Sequence, residues 1–407
     1  MSSKLKKILI VVGFIILVLV LAWLIYTLFF RTAIESVNNE PAANLPPING
    51  LPAVNDGSFN QPVNQLDSGL PPLTGEPGDT TGSDLQREAK PVTPARVSGV
   101  ALTGRDELRY YNREDGKFYR YVNGQPSELS DKIFFNVEEV TWSRNGDRAV
   151  LEYPDGYNIV YDFRRDKQIS LPPELEDFSF DNSGDKIAAK AITGQADNNW
   201  VVTANYDGSG LKFIEHLGDK KDDVQINWSP AGEIIATYRE GIDFERQEVY
   251  PIGQSGGNIK SLVTDGRGFE GSWSPQGDYM LYSVYNTSSS YKPTLYLADM
   301  GGDYTGSFKL NFGINTWSHK CTFGIDSRKV YCAVPEKLPQ LSGIFPELVG
   351  ESNDQFYEID LSTGGRRLLG IPQGAGVNAT QLNISAAGDV VYFVDQNTGQ
   401  LKSMPLR

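Results

Sequence analysis

The residue types that most often carry chemistry are scarce in this chain, which has two His and two Cys among 407 residues. The string GQSGG at 253–257 matches the G-x-S-x-G pattern in which a serine acts as a nucleophile. That chemistry needs a strand before the serine and a helix after it. Here the strand-like QEVYPI precedes Ser255 and the strand-like NIKSLVT follows it. The pattern therefore indicates a hairpin turn, and we predict no catalytic residue and no enzymatic activity.

The two cysteines, Cys321 and Cys332, lie in one segment whose pattern predicts a tight hairpin. Centring that hairpin between residues 326 and 327 places the two cysteines directly opposite each other. Opposed Cβ atoms on paired strands are close enough to form a disulfide after a small adjustment. We predict this disulfide for an oxidising compartment, and two buried thiols are the alternative.

The histidines and acidic residues give no pattern typical of a metal site. His216 and His319 lie more than 100 residues apart, and no carboxylate or Cys with ligand spacing surrounds His216. Cys321 lies two residues after His319 but is assigned to the disulfide. His319 is then left with too few ligands for a zinc site. The acidic run at 219–223 and the Asp residues before Gly are typical of turns rather than of calcium loops. We predict no metal and no cofactor.

The elements that would position any site come from an internal repeat that begins near residue 95. Clear copies read VTWSRNGDRAVLEY from Val140, INWSPAGEIIATYR from Ile226 and GSWSPQGDYMLYSV from Gly271. A period of about 40 to 50 residues indicates a repeat architecture. Each of six copies has an apolar anchor, and these anchors are Trp142, Phe180, Trp228, Trp273, Phe323 and Ile384.

Each unit predicts four short antiparallel strands. Ser follows the anchor, then a turn built on Pro or Asn with Gly, an acidic residue, and an alternating apolar strand with two further strands behind it. Such a sheet buries its faces only against neighbouring copies, so the predicted fold is an all-β β-propeller of four-stranded antiparallel blades. Seven blades are favoured over six, because a degenerate copy precedes the six. The last copy ends after three strands, and we expect residues 95–100 to supply its fourth.

These repeats resemble the WD40-like (PD40) repeats of TolB-type propellers. The resemblance rests on WSPAGE followed by EVYPIGQSGGNIKSLVT, and on WSPQGD followed by TLYLADMGG. It covers the C-terminal three quarters of the chain and implies the propeller fold, whereas propellers of this kind host unrelated functions. This chain departs from TolB itself, which has a separate N-terminal domain, so the resemblance does not imply that family's lipoprotein partner.

The N-terminal region predicts a membrane anchor. Residues 8–30 carry no charge and are mostly Leu, Ile, Val and Phe, which is enough for one transmembrane helix. Lysines within residues 1–7 precede this stretch and only Arg31 follows it closely. The predicted protein crosses the cell membrane once. The positive-inside rule then places residues 1–7 in the cytoplasm and the C-terminal domain on the outer side of the membrane. A cleaved signal peptide is the alternative.

Between the predicted helix and the repeats lies a Pro-rich stretch. Residues 31–94 hold ten of the 23 prolines and Phe59 is their only aromatic residue. Such a composition buries too little apolar surface to fold, so we predict a disordered linker at 31–94 and a propeller domain at 95–407.

The net charge of −14 argues against nucleic acid, because a nucleic-acid binder must neutralise phosphates.

Loop length predicts which face of the propeller binds a partner. Loops between the second and third strands, and loops that join blades, share one face and are long, including a 333–354 insertion. Exposed aromatic residues mark interfaces, and the candidates on these loops are Phe244, Tyr291, Trp317 and Phe345. The insertion either folds back over its own blade or forms a partner-binding knob.

We therefore expect a protein–protein interaction or scaffold module of the cell envelope. Its partner would be an envelope protein or a wall polymer. The alternatives are an envelope hydrolase or lyase with a site at the propeller channel, and a small-ligand sensor. An enzyme of this kind would need a cluster of carboxylates or His on the first strands, which line the channel.

Overall fold

The computed structural model describes residues 20–21, 85–103, 107–257, 259–350, 352–374 and 376–407. Apart from Val20 and Leu21, the predicted helix at 8–30 lies outside these ranges, as do residues 1–7 and most of the predicted linker. Within the described ranges, no helix has the length and apolar character needed to cross a membrane. The anchor therefore stays a prediction.

The described part of the chain is built almost entirely of short strands. In chain order these are β1 (Gln86–Arg87), β2 (Lys90–Thr103), β3 (Glu107–Asn112), β4 (Lys117–Val122), β5 (Gln125–Glu128), β6 (Glu139–Trp142), β7 (Arg148–Glu152), β8 (Asn158–Asp162), β9 (Lys167–Ser170), β10 (Leu175–Phe180), β11 (Lys186–Ala191), β12 (Trp200–Asn205), β13 (Lys212–His216), β14 (Val224–Ile226), β15 (Ile234–Gly241), β16 (Gln247–Gly253), β17 (Leu262–Thr264), β18 (Arg267–Trp273), β19 (Tyr279–Tyr285), β20 (Thr294–Asp299), β21 (Lys309–Asn311), β22 (Cys321–Phe323), β23 (Lys329–Pro335), β24 (Asp354–Asp360), β25 (Arg366–Pro372), β26 (Ala379–Ile384), β27 (Val390–Asp395) and β28 (Gln400–Pro405). Single 3₁₀ turns lie in the connections, at Ala196–Asn198, Lys221–Asp223, Thr287–Ser289, Gly302–Tyr304, Ser318–Lys320 and Pro346–Val349.

Five sheets each contain four consecutive antiparallel strands, as a propeller of four-stranded blades requires. They are sheet 1 (β6 to β9), sheet 2 (β10 to β13), sheet 3 (β14 to β17), sheet 4 (β18 to β21) and sheet 5 (β22 to β25). The outer strand β25 of sheet 5 also pairs with β1, in parallel. The prediction of an all-β propeller of four-stranded antiparallel blades is confirmed.

A sixth sheet has seven strands in the order β26-β27-β28-β2-β3-β4-β5, and we call it the shared sheet. Its long strand β2 pairs on one side with β28 and on the other with β3. The first half of β2, Lys90 to Arg96, pairs with β28 near the C-terminus. The second half, Val97 to Thr103, pairs with β3. A strand from the N-terminal side thus completes the last set of strands, as expected.

The position of that closing strand differs from the sequence expectation. Residues 95–100 straddle the junction between the two halves of β2, and the closing half begins at Lys90. β1 and most of this half lie within the predicted linker, so the strand structure begins before residue 95. Pro91 and Pro94 suggested a linker, but they lie on an outer strand, where a residue without an N–H donor is tolerated.

After three of the six anchors, the Ser of the motif closes the first hairpin of its set of strands. The Oγ atom of Ser143 accepts a hydrogen bond from the backbone N–H five residues later, at 3.0 Å. Ser274 and Ser385 make the same bond at 3.1 and 3.0 Å. The Gly of the motif adopts a positive φ in these turns, for example 71° at Gly146. The hairpin therefore explains the motif in these three copies, whereas the hydroxyl group of Ser229 donates to the carbonyl oxygen of Gly277 in the next sheet.

Apolar side chains fill the space between neighbouring sheets. Val150 and Val160 of sheet 1 pack with Phe178 and Ile187 of sheet 2 in one buried cluster. Similar clusters join each pair of consecutive sheets. A further cluster lies between the two halves of the shared sheet and contains Val97 and Leu401. Each sheet thus depends on its neighbours for burial.

The anchors lie at the ends of the first strands, where two of them connect neighbouring sheets. The indole N–H of Trp142 donates to the carbonyl oxygen of Gly99 at 2.6 Å, across to β2. The indole N–H of Trp273 donates to the carbonyl oxygen of Asn227 at 2.8 Å, from sheet 4 to sheet 3. Phe180 is buried, as are the anchors Trp228 and Ile384, while Phe323 is half-buried.

Gly99 is a position where both backbone conformation and space require glycine. Its φ is +57°, and a Cβ atom would lie 2.5 Å from Cβ of Val140. We expect Gly99→Ala to lower the free energy of unfolding by about 3 kcal/mol, since the left-handed conformation and overpacking both add to the cost. Denaturant unfolding measures this.

The matched control is Gly302→Ala, because Gly302 has a similar φ of +54° and open space around it. This change should cost about 1 kcal/mol. Equal losses at the two positions would show that β2 and β6 do not approach each other as closely as described.

Candidate interaction face

Strand order assigns each connection to one of the two faces of the propeller. Connections between the second and third strands, and those between sheets, leave from the same face, which we call the long-loop face. Its longer connections are 129–138, 192–199, 286–293, 312–320 and 336–353, and the last of these is the longest. Two further long connections, 254–261 and 300–308, join third to fourth strands and lie on the opposite face. The elaboration is therefore concentrated on the predicted face but not confined to it.

Three loops of the long-loop face bond to one another across sheets 3, 4 and 5. Glu245 accepts hydrogen bonds from the backbone N–H of Thr287, at 2.9 Å, and from its hydroxyl group. The backbone N–H of Gly343 donates to the carbonyl oxygen of Tyr291 at 2.8 Å, and that of Leu341 donates to Ser290 at 3.1 Å. We call this structure the loop ridge, formed by residues 242–246, 286–292 and 336–350.

The loop ridge corrects one of the two sequence interpretations of the insertion. The predicted insertion at 333–354 is shorter in the structure, because β23 extends to Pro335 and β24 begins at Asp354. Residues 341 and 343 bond to the 286–292 loop of sheet 4 rather than only to sheet 5. The insertion therefore packs on a loop of the neighbouring sheet, whereas folding back over its own blade would confine it to sheet 5.

Large apolar side chains are exposed on the loop ridge. Phe244 is 90% exposed, and Phe345 and Leu348 are 46% and 50% exposed. Ile242 and Ile344, which are close to Phe244 and Phe345 in the chain, are also exposed. Clusters of exposed apolar side chains of this kind mark sites of protein contact.

The four predicted face residues have different positions in the structure. Phe244 and Phe345 project from the loop ridge into solvent. Tyr291 is half-buried, and its hydroxyl group lies 3.1 Å from Oγ1 of Thr287. Trp317 is buried beneath the ridge, with its ring stacked beside that of His319. Of the four predicted side chains, only Phe244 and Phe345 are well exposed, and their role in binding stays a prediction.

A cavity of about 340 Å³ lies beneath the insertion. Trp317 and Tyr285 line it together with Gly343 and Pro346 of the insertion. Its wall also includes Glu270, whose carboxylate lies 2.8 Å from Nδ1 of His319. The insertion therefore forms a roof over the inner part of the long-loop face.

A buried ion pair fixes the end of the insertion. Nζ of Lys320 lies 2.7 Å from Oδ2 of Asp354, and both side chains are buried. Lys320 also donates to Asn378 at 2.7 Å and to the carbonyl oxygen of Ala379 at 2.9 Å. Asp354 accepts from Ser352 at 2.5 Å and from the N–H of Ala379 at 2.7 Å. Burial lowers the pKa of Lys320, and the charge of Asp354 opposes that shift.

The predicted disulfide between Cys321 and Cys332 is confirmed. The two residues pair directly across β22 and β23, with Cα atoms 4.1 Å apart. Both belong to the buried cluster between sheets 4 and 5. The bond therefore joins the two inner strands of the sheet that carries the insertion.

The other chemically suggestive residues do not assemble into a site. Ser255 is exposed in the connection between β16 and β17, and a strand rather than a helix follows it. His216 bonds to the carbonyl oxygen of Asp197 at 3.0 Å. In the described part of the chain, no group of three or more His, Cys, Asp or Glu side chains is placed to hold a metal.

Sequence analysis missed a set of charged side chains near the first strands of sheets 1 and 2. Glu139 on β6 lies opposite Glu152 on β7. Asp177 on β10 pairs with the buried Lys190 at 2.5 Å. The sequence feature that could have indicated this pair is Lys190, the second Lys of the strand KIAAKA, which lies among apolar residues. The channel hypothesis requires carboxylates on first strands, and Glu139 and Asp177 occupy such positions.

Burial and the nearby charge of Glu139 raise the pKa of Glu152 to about 8. One of its oxygens accepts a hydrogen bond from the N–H of Asp177 at 3.2 Å, which acts in the opposite direction. Oε1 of Glu152 is buried without a hydrogen-bond partner among the described residues. A proton on this carboxyl group is therefore favoured in the folded state.

No protein-family model matches this chain, and no curated protein matches it. Solved structures do share its fold. The β-propeller domain of Cps50 (Swd1) from Myceliophteria thermophila superimposes with a TM-score of 0.53 at 9% identity, covering 79% of this chain and all of that one. An oligogalacturonate lyase from Vibrio parahaemolyticus gives 0.51 at 11% identity, covering 81% of this chain and 96% of that one. An oligogalacturonate lyase in complex with manganese gives 0.52 at 11% identity, with 78% and 93% covered.

These similarities show that the chain contains a β-propeller over about four fifths of its length. At such identities they carry no information on activity, because unrelated functions occur on this fold. The narrower resemblance to TolB-type repeats stays a prediction.

We expect Lys320→Met to destabilise the protein by about 3 to 5 kcal/mol, because it leaves the carboxylate of Asp354 buried and unpaired. Urea unfolding at neutral pH measures the change. Lys132→Met is the control, since Lys132 is exposed and its nearest carboxylate oxygens lie 3.7 and 3.8 Å away. That variant should lose less than about 1 kcal/mol. Similar losses in both would contradict a buried pair.

We expect the free energy of unfolding of the Glu152→Gln variant to rise, relative to that of the natural chain, as pH rises. The raised pKa means that the folded protein holds a proton up to about pH 8, whereas the unfolded chain releases it near the ordinary value of 4.5. The stabilisation from this proton is complete below pH 4.5 and is lost by about pH 8. The stability difference should therefore grow by on the order of 2 kcal/mol between pH 5 and pH 8.

Glu174→Gln controls for the removal of one negative charge, because Glu174 is exposed next to β10. Its stability difference should not change over the same pH range. Urea unfolding of the three proteins measures both differences, and a pH-independent difference for Glu152→Gln would contradict the assignment.

Proposed function

We propose that this protein is a non-enzymatic interaction module of the cell envelope whose loop ridge binds another envelope protein. The observation that carries the proposal is the exposure of Phe244, Phe345 and Leu348 on loops that bond to one another. A soluble surface rarely exposes several large apolar side chains together without a partner. Burying such side chains at the centre of an interface supplies most of its binding energy.

The loop ridge has the properties of a preformed binding surface. Its loops bond to each other, and Lys320 and Asp354 hold the end of its longest loop. Side chains presented by a fixed backbone lose less conformational entropy on binding than those of a free loop. Sheets 3, 4 and 5 together would therefore present Phe244 and Phe345 in a constant arrangement.

We further propose that the shared sheet represents two blades, which gives a ring of seven. The two halves of β2 pair with β28 and with β3, so that each half completes a set of four strands. The apolar cluster between those sets resembles the clusters between the other sheets. In this arrangement the N-terminal strand closes the ring.

The place of the module in the cell follows from the N-terminal sequence. Residues 8–30 would anchor it in the cell membrane as a single-pass protein, with residues 1–7 in the cytoplasm. The Pro-rich stretch would hold the propeller at a distance from the membrane on its outer side. A disulfide between Cys321 and Cys332 suits such a location.

The test is site-specific photocrosslinking in the native cell. A photoreactive amino acid replaces Phe244, Phe345 or, as a control on the opposite face, Ile325, which is 58% exposed. We expect the first two positions to yield the same discrete crosslinked protein and position 325 to yield none. Equal products from all three positions, or none from the loop ridge, would contradict the proposal.

A second arm measures the contribution of the ridge side chains. With the photoreactive residue at Leu348, the double change Phe244→Ser and Phe345→Ser should lower the crosslinking yield by at least tenfold, because buried aromatic anchors carry about 2 kcal/mol or more each. Ile325→Ser should leave that yield unchanged. An unchanged yield in the double variant would show that the ridge does not provide the anchors.

A further inference from the structure

A second cavity, of about 390 Å³, adjoins the cavity beneath the insertion, and the two share Arg239, Gly268 and Tyr285. Its volume is within the range of small-ligand sites. We call it the arginine pocket. Its wall includes Arg239, Gly241 and Gln247 of sheet 3 and Arg267, Gly268 and Tyr285 of sheet 4.

Gln247 is the side chain that points most directly to a ligand. It is 3% exposed, and its Nε2 atom has no hydrogen-bond partner among the described residues. Buried polar groups in native structures normally have a partner, because a hydrogen bond that is left unmade is costly to bury. Gln247 lines the arginine pocket, so a molecule there that carries an acceptor atom can supply the partner.

Strand register places Gln247 and Arg239 on the side of sheet 3 that faces sheet 4. Gln247 on β16 pairs directly with Gly241 on β15, and Arg239 lies two residues before Gly241 on that strand. Directly paired residues, and residues two apart in one strand, point to the same side of a sheet. That side faces sheet 4, because Nη1 of Arg239 donates to the carbonyl oxygen of Phe269 on β18 at 3.0 Å.

Glycine at position 241 makes room for a second arginine, which comes from sheet 4. A Cβ atom on Gly241 would lie 2.8 Å from Cζ, Nη1 and Nη2 of Arg267, so this guanidinium group lies against the bare backbone opposite Gln247. Tyr285 pairs directly with Arg267 across β18 and β19, and a Cβ atom on Gly268 would overlap its ring. The two glycines therefore admit a guanidinium group and an aromatic ring to the pocket wall.

The guanidinium groups of the pocket have an excess of donors. Nη1 of Arg267 donates to the carbonyl oxygen of Asp243 at 2.7 Å, and no carboxylate in the described part of the chain forms an ion pair with Arg267. The carboxylate of Asp223 lies 3.7 Å from Nε of Arg239. Two guanidinium groups thus share one carboxylate on this side of sheet 3, which favours an anion as the ligand.

The other charged residues of the pocket compensate each other. Tyr238 and Glu240 occupy the alternate positions of β15, so their side chains lie on the opposite side of sheet 3 from Arg239. There Nζ of Lys220 donates to the hydroxyl group of Tyr238 at 2.7 Å and lies 3.7 Å from a carboxylate oxygen of Glu240. Three cations and two carboxylates line the pocket, which leaves one positive charge in a chain of net charge −14.

One positive charge on a planar guanidinium group matches a carboxylate. A guanidinium group can donate two parallel hydrogen bonds to a carboxylate, and Nε2 of Gln247 adds a neutral donor. A phosphate dianion would leave excess negative charge in the pocket. The ring of Tyr285 offers an apolar surface for the body of the ligand.

We propose that the arginine pocket binds the carboxylate of an organic acid or of a peptide chain end, with Arg267 and Gln247 as its donors and Tyr285 beside the body of the ligand. This proposal does not depend on what the loop ridge binds. Binding makes and breaks no covalent bond, so it is compatible with a non-enzymatic protein.

Calorimetric titration of the full-length chain at about 0.15 M ionic strength tests the proposal with two acids and their amides. Hydrocinnamate represents a free organic acid, and N-acetyl-alanylphenylalanine represents a peptide chain end. We expect at least one acid to bind saturably with a Kd below about 1 mM and its amide to bind at least tenfold more weakly. Absence of saturable binding of both acids up to about 10 mM, or equal binding of an acid and its amide, would overturn the proposal.

The same titrations distinguish the sources of the carboxylate. Tighter binding of the peptide would support the proposal with a chain end as the ligand, and tighter binding of hydrocinnamate would support it with a free acid. Phenyl phosphate should bind more weakly than hydrocinnamate, and the reverse order would overturn the assignment to a carboxylate.

Two variants with a matched control separate a site from diffuse charge attraction. Arg267→Gln should weaken binding of the tighter acid more than tenfold, whereas Arg328→Gln, which removes the same charge from an exposed hairpin turn of sheet 5, should not change it. Gln247→Glu should abolish saturable binding without lowering the thermal unfolding midpoint, because the new carboxylate pairs with Arg267 and takes the place of the ligand. Equal effects of the two arginine variants, or unchanged binding by folded Gln247→Glu, would overturn the assignment.

A third variant tests the position of Arg267 without changing any charge. Gly241 does not have a positive φ, so Gly241→Ala introduces no backbone strain, but its Cβ atom displaces the guanidinium group of Arg267. We expect the protein to stay folded and to bind the tighter acid at least threefold more weakly. Unchanged binding would overturn the placement of Arg267 in the site.

Discussion

The structure depends on how neighbouring first strands satisfy their backbone groups without forming a common sheet. Each first strand lies at the inner edge of its sheet, where the next sheet offers no ladder of backbone hydrogen bonds. Side chains take that role: Gln381 and Asn383 accept from the amides of Val100 and Leu102. The indole group of Trp142 donates to a carbonyl group of β2. These bonds pair backbone groups that no strand ladder reaches, so they hold adjacent sheets in one register.

A ring held in this way can place its function at the loops. Apolar burial between sheets and the bonds across first strands fix the strand ends, so loops on one face start from constant positions. The loop ridge uses three such positions, and the ion pair of Lys320 with Asp354 holds its longest loop.

Sequence patterns predicted the features that depend on neighbours along the chain. The turn Gly of the motif acts within one hairpin, as does Ser at 143, 274 and 385, and the pairing of Cys321 with Cys332 follows from one turn. Features that depend on distant residues were predicted less completely. Closure of the last set of strands by an N-terminal strand was expected, but the pairing of Lys90 with Ser403 was not, because the prolines nearby resembled linker composition. The ion pair of Lys320 with Asp354 likewise joins the 3₁₀ turn before β22 to the first residue of β24, which share no local motif.

Amide-resolved hydrogen exchange tests most directly whether the sheets form one cooperative ring. The amides of Val100 and Leu102 donate to side chains of β26 rather than to backbone groups. If those bonds hold the ring together, both amides should exchange as slowly as the amide of Leu151, on a strand flanked by two others. Exchange of Val100 and Leu102 at rates typical of surface loops, while Leu151 stays protected, would contradict the account, since the sheets would then open independently.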